Sequence, residues 1–172
     1  MTGNFVQFDS VNGGLIDHNK GKSGDTEDVV SLYQTSNVVV EDNQFEGTNW
    51  TSTSGSGIAL SDGGGSNNIA RRNTLLNIGQ VGIFIAGGTN NSIRDNVIYG
   101  EARPLSNVGI YVWNQSDTAC SGNVVSGNRV YFLKPDGKTE SGYWGGGGCG
   151  TVTMSGNDFS ANLSISSLRV VL

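Results

Sequence analysis

The chain has only two prolines and two cysteines in 172 residues, a single histidine, and ten Lys plus Arg against fifteen Asp plus Glu. Each scarcity excludes something. The net charge of −5 and the pI near 4.6 argue against a nucleic-acid partner and against an anionic membrane surface. No apolar run approaches the roughly 20 residues of a membrane span. Met1-Thr-Gly-Asn has neither the basic start nor the apolar core of a signal peptide, so a secreted protein of this sequence is expected to be a mature or trimmed form. No segment sustains a helical period. Even Ser164 to Leu172 sets Ile165, Leu168, Val170 and Leu172 closer to alternation than to a helix.

What the chain does have is 27 Gly and 19 Asn. They describe turns rather than disorder, because apolar residues recur in order between them. With Asn19, Asn43, Asn73, Asn96, Asn128 and Asn157 set in register, the sequence folds onto itself at spacings of 24, 30, 23, 32 and 29 residues. Three residues before each Asn stand Ile16, Val40, Ala70, Ile93, Val125 and Met154, and two after it Phe45, Leu75, Ile98, Val130 and Phe159. Only the first copy departs, with Gly21. Upstream, Val30-Ser31-Leu32, Ile58-Ala59-Leu60, Ile83-Phe84-Ile85 and Ile110-Tyr111-Val112 alternate as half-buried strands do.

One such unit cannot bury its own apolar side chains, so copies must stack. The pattern predicts a single all-β domain over residues 1–172, a parallel solenoid of about six coils of three short strands, each rung about 4.8 Å from the next. An Asn at the tight bend, tolerant of left-handed dihedrals and able to bond its own kind above and below, predicts an internal ladder. Residues 160–172 are expected to cap the C-terminal end. The N-terminal Asn4-Phe-Val-Gln-Phe looks like a partial rung, whose open edge is expected to meet a partner, a second copy or a further segment.

In this respect the chain resembles the right-handed parallel β-helix proteins of the pectate-lyase-like superfamily, over roughly Gly13 to Phe159. Three segments, Gly55 to Gly65, Gly79 to Gly88 and Asn107 to Gln115, look like those of a group of secreted bacterial β-helix proteins. The resemblance implies an extracellular, single-stranded right-handed β-helix that lays a polysaccharide along its first sheet. Fold alone does not choose among lyases, hydrolases, epimerases, tailspikes and adhesins.

If Val30, Leu32 and their counterparts point inward, the residues between them face outward. One outward column is then Ser31, Ala59, Phe84 and Tyr111, and the next is Tyr33, Ser61, Ala86 and Trp113, followed by Asn114; Tyr143 and Trp144 extend the sheet in the last coil. Tyr33, Phe84, Tyr111, Trp113, Asn114 and Trp144 are therefore the expected substrate-binding residues, unless long loops cover the aromatics.

Beside them stand the candidates for chemistry, Glu27 and Asp28 before the strand of the second coil, Asp62 after that of the third, and Arg103 with Glu101 in the loop leading to Ile110. Two carboxylates flanking a glycosidic bond would serve hydrolysis. Arg103 with Tyr111 or Tyr33 would instead serve a lyase, one neutralising a uronate and the other taking the ring proton. Known signatures are missing: three residues after Arg103-Pro104 comes Asn107 instead of a second Arg, and the sole histidine, His18, lies between Asp17 and Asn19.

The charged column of Asp17, Glu41, Arg71 and Arg94, beside His18, Asp42, Arg72 and Asp95, reads as a solvated face, with His18 paired to Asp42. Asp25, Glu27 and Asp28 could take calcium, but their spacing matches no calcium loop, so no cofactor or metal is expected. The glycine runs at 63–65, 87–88 and 145–148 lead into strands, not helices, and read as turns rather than phosphate cradles. Cys120 and Cys149 each precede a ladder Asn by eight residues, so they sit one above the other on adjacent coils. A rung offset of about 4.8 Å lies within disulfide reach, and a bond between them is expected, two free stacked thiols being the alternative.

The leading expectation is a lyase or hydrolase acting on polysaccharide. The alternatives are a non-catalytic carbohydrate-binding or adhesion module, and a structural fragment of a tailspike or surface fibre that works by assembly, including through its N-terminal end.

Overall fold

A computed structural model describes residues 3–22, 26–47 and 55–169. The chain winds through six coils. The first holds β1 (Val6–Asp9), β2 (Asn12–Asp17) and β3 (Lys20–Lys22); the second, β4 (Val30–Glu41) and β5 (Gln44–Glu46); the third, β6 (Ser56–Ser66), β7 (Ile69–Arg71) and β8 (Thr74–Leu76). The fourth holds β9 (Val81–Ile85), β10 (Gly88–Thr89), β11 (Ser92–Arg94) and β12 (Val97–Gly100). In the fifth are β13 (Val108–Trp113), β14 (Cys120–Ser121), β15 (Val124–Ser126) and β16 (Arg129–Phe132), and in the sixth β17 (Tyr143–Gly147) and β18 (Thr153–Ser155).

Each strand pairs in parallel with its counterpart on the next coil, which gives three faces. The first stacks β1, the start of β4, the start of β6, β9, β13 and β17. The second stacks β2, the end of β4, β7, β11, β15 and β18. The third stacks β3, β5, β8, β12 and β16. This is the parallel β-helix that the repeat predicts.

The registers match the expected core. Ile16, Val40, Ala70, Ile93 and Val125 lie rung on rung, as do Phe45, Leu75, Ile98 and Val130, and all are buried. The departure at Gly21 has a packing reason: the ring of Phe5 packs edge-on against Phe45, and a Cβ on Gly21 would stand 3.3 Å from it.

The Asn ladder is complete. Each Nδ2 donates to the Oδ1 of the next, Asn19 to Asn43 (2.9 Å), Asn43 to Asn73 (2.9 Å), Asn73 to Asn96 (3.0 Å), Asn96 to Asn128 (3.0 Å) and Asn128 to Asn157 (2.9 Å). The second amide hydrogen reaches the carbonyl three residues before the Asn of the preceding coil, as from Asn73 to Val40. One detail differs from expectation: the left-handed dihedral falls on the residue before the ladder Asn. His18, Asp42, Arg72 and Asp95 take φ of 53–57°, and Gly127 and Gly156 take 66° and 62°. That residue makes the bend, which leaves the Asn side chain aimed inward.

A second ladder lies five residues upstream, where Asn68, Asn91 and Asn123 are wholly buried and bond backbone N–H to Oδ1 along the stack. Cys120 and Cys149 form the expected disulfide, with Cα atoms 4.3 Å apart.

Two further expectations are corrected. His18 Nδ1 pairs with Asp17 of its own coil (2.9 Å), whereas Asp42 is taken by Arg72, which bonds both carboxylate oxygens. The guanidinium of Arg72 outcompetes the imidazole because its fork matches the carboxylate. The described part of the expected cap, with α1 (Ile165–Leu168), turns back along the third face: Gln44 Nε2 donates to the Leu168 carbonyl, and Arg169 pairs with Glu46 at 3.1 Å. Val170 and Leu172 lie outside the described residues.

Candidate functional site

The outward side chains of the first face are set by register. Ser31, Ala59, Phe84, Tyr111 and Trp144 occupy one column. The side chains are small on the second and third coils and aromatic on the fourth to sixth. Phe84 and Tyr111 stack 4.8 Å apart and 7° from parallel, Trp144 meets Tyr111 edge-on at 6.0 Å, and Trp113 meets Trp144 edge-on at 5.6 Å. Stacking along the axis hides the ring faces of Phe84 and Tyr111, which are 9% and 8% exposed, while Trp113 and Trp144 remain 39% and 46% exposed. The expected row of outward-facing rings is thus a buried stack with two tryptophans at its edge.

Over this column lies a groove of about 380 Å³. Glu27, Asp28, Gln80 and Asn107 precede their first-face strands, Ser56 opens β6, and together they form one side. Asp62, Trp113 and Gln115 form the other, with Phe84, Tyr111 and Trp144 between. Its size falls within the range of small-ligand sites. No Lys or Arg lines it among the described residues.

Asp28 is held by its neighbour on the next coil. Its Oδ1 accepts from the Ser56 N–H (2.8 Å) and from the Ser56 hydroxyl (2.7 Å). Burial pushes its pKa up; the two Ser56 bonds oppose this, and the charges of Glu27 and Asp62 add to the rise. Tyr111 is pushed up too, first by burial and further by Asp62 and Asp28, so it keeps its proton. Its oxygen accepts from Gln115 Nε2, which leaves the hydroxyl hydrogen free to point to another acceptor.

The loop bearing Gln115 folds back over the earlier coils. Gln115 N–H bonds the Ala86 carbonyl (2.9 Å), and a Cβ on Gly87 would stand 2.5 Å from Thr118 Oγ1. The glycine turn at that point therefore makes room for the groove's own wall.

Of the expected site residues, Glu27, Asp28, Asp62, Phe84, Tyr111, Trp113 and Trp144 come together in the groove. Arg103, Tyr33 and Asn114 do not. Arg103 is buried, and its guanidinium donates to the Asn77 and Gly79 carbonyls, a strut beneath the 101–107 loop. Burial draws its pKa down to about 10, so it stays charged near neutrality. Asn114 pins its loop by donating to the Thr118 carbonyl at 2.7 Å.

Tyr33 is displaced by an irregularity in β6. Ser61 takes φ 57° and turns inward to bond Asn68, so Tyr33 lies level with Asp62 rather than with Ser61. Ser61 is therefore wholly buried and not part of an outward column. Asp25 lies outside the described residues. Among those described, no group of three or more His, Cys, Asp or Glu could hold a metal ion, and no helix is long and apolar enough to cross a membrane.

Sequence reasoning missed Ser56, Gln80, Asn107 and Gln115 as lining residues. Their signal was position: Gln80 and Asn107 stand just ahead of a first-face strand and Ser56 at the start of one.

Against known families, the model for the right-handed beta helix region matches residues 16–166. No curated protein and no solved structure matches the chain.

Proposed function

The chain belongs to the right-handed β-helix family, and from that premise we propose that it is an extracellular glycan-binding protein whose first-face groove hydrolyses a glycosidic bond. The observation that carries this reading is Asp28, a carboxyl held toward its protonated form by burial in a groove it shares with Asp62, Glu27 and two exposed tryptophans. Hydrolysis needs one carboxylic acid to give a proton to the leaving glycosidic oxygen and one carboxylate to take a proton from water or to attack the sugar carbon. Asp28 fits the acid, and Asp62 or Glu27 the base or nucleophile. Trp113 and Trp144 supply apolar surface for sugar rings.

A lyase is less well supported. Its cation, Arg103, points onto backbone carbonyls, and its tyrosine base, Tyr111, is held protonated. The disulfide fits an oxidising, extracellular setting. A second reading, binding without catalysis, draws on the two hydrogen bonds from Ser56 to Asp28, which also serve to join the second and third coils.

Incubation with a panel of neutral, uronate and amino-sugar polysaccharides separates these readings. Hydrolysis gives new reducing ends without ultraviolet-absorbing unsaturated sugar, and loses them in Asp28→Asn. Unsaturated product would overturn the assignment in favour of a lyase, and retention on a polysaccharide without cleavage would leave a binding module.

A further inference from the structure

The groove is unusual in its charge. Glu27, Asp28 and Asp62 line one space of about 380 Å³, close enough for Glu27 and Asp62 to raise Asp28. Among the described lining residues none is cationic. The nearby guanidinium of Arg103 is turned away onto the Asn77 and Gly79 carbonyls. By contrast, on the second face Arg71 pairs with Glu41, and Arg72 with both Glu41 and Asp42. Glu41 and Asp42 are thus neutralised within the protein, whereas Glu27, Asp28 and Asp62 share a groove that no described Lys or Arg lines.

Two more features point the same way. Trp113 and Trp144, the exposed rings at the groove, attract cations over their faces. The Tyr111 hydroxyl, fixed by Gln115, has its hydrogen to give to an oxygen acceptor such as a sugar ring oxygen, not to an ammonium. The groove therefore offers carboxylates and aromatic faces for positive groups and a hydroxyl donor for a neutral one.

Resting on the glycan reading above, we propose that the ligand is a glycan bearing free amino groups, a polymer of hexosamine units in which some or all nitrogens are unacetylated. Its ammonium groups meet Glu27 and Asp62, its ring faces lie on Trp113 and Trp144, and an uncharged oxygen accepts from Tyr111. A uronate polymer is repelled by the same groove. An N-acetylated polymer of equal length keeps the ring contacts but leaves Glu27 and Asp62 without partners.

The test is calorimetric titration of the whole protein with a glucosamine hexamer, the N-acetylglucosamine hexamer and a galacturonate hexamer. The glucosamine hexamer is expected to bind about tenfold or more tighter than the acetylated one. That preference should weaken as salt is raised. Glu27→Gln and Asp62→Asn should each reduce it, whereas Glu140→Gln, a carboxylate away from the groove, should leave it intact. Glu27 is exposed, so its variant tests the charge without burdening the fold. Equal affinity for the two hexosamine oligomers, or a preference for the galacturonate, would overturn the amino-sugar assignment and leave the glycan reading standing. Binding of none of the three, with none of the panel polysaccharides retained, would overturn both. A preference that survives both groove variants would place the amino-sugar contact elsewhere and overturn the assignment to this groove.

Discussion

Phe84 and Tyr111 lie ring on ring, 4.8 Å apart and 7° from parallel, one coil above the other. The stack is what a column of aromatics at rung spacing does, because each ring covers its neighbour's face more completely than solvent or a ligand would. Its consequence is that the contact surface of the groove moves to the two tryptophans at the stack's end, whose rings meet edge-on at 5.6 Å.

Removal of Trp144 should therefore weaken glycan binding with little loss of stability, since the ring is 46% exposed. Phe84→Ala should do the reverse, opening a void beneath Tyr111 at about 3–5 kcal/mol. Paired measurement of binding affinity and of urea midpoints separates the two effects.

The ladder is expected to carry more stability at its centre than at its end. Asn96→Ala removes the acceptor for both the N–H (3.0 Å) and the Nδ2 (3.0 Å) of Asn73, all wholly buried. Two buried donors left unmet cost about 3 kcal/mol or more in total. Asn19→Ala, at the more exposed first coil, should cost about 1 kcal/mol or less. Chemical denaturation of the two variants checks the ratio.

Reduction of the Cys120–Cys149 bond, which closes 29 residues, should lower stability by roughly 2–4 kcal/mol. The loss should match in the double Cys→Ser variant, and mass spectrometry of the untreated protein should show no free thiol.

The pH dependence has two limbs of opposite sign. Asp28 has its pKa raised by burial, so the native protein holds a proton that the unfolded chain has released. Its contribution lowers stability as pH rises from the ordinary carboxylate range through the raised value. Glu41 and Asp42 have theirs lowered by hydrogen bonds to Arg71 and Arg72; their stabilisation is present above the ordinary carboxylate range and is lost as pH falls through the lowered values. Asp28→Asn, whose Oδ1 still accepts from Ser56, should flatten the first limb and leave the second unchanged. Tm measured from strongly acid to neutral pH shows both.

The coils were legible because one residue type, Asn, recurs with apolar flanks at fixed offsets, and the observed registers Val40 to Ala70 and Ile93 to Val125 follow from it. The second ladder was equally legible, since Asn68, Asn91 and Asn123 each precede a ladder Asn by five residues. What failed depended on local geometry that alternation does not encode. A single left-handed residue, Ser61, reverses the in-and-out count beyond it and carries Tyr33 off the expected column. Arg103 reads as a catalytic cation in sequence, yet two carbonyls left open at the 77–79 turn hold it instead. The C-terminal segment's direction rests on Arg169 finding Glu46, a contact spanning 123 residues that no local pattern foretells.

The central claim, that the first-face groove holds a glycan against its tryptophans, is tested most directly by intrinsic tryptophan fluorescence of the protein titrated with neutral, uronate and glucosamine oligomers. The account predicts a saturable change with the glucosamine oligomer, and a loss of calorimetric affinity in the Trp113→Ala, Trp144→Ala double variant while its thermal unfolding stays cooperative. Unaltered affinity of that double variant, measured by calorimetry, would contradict it.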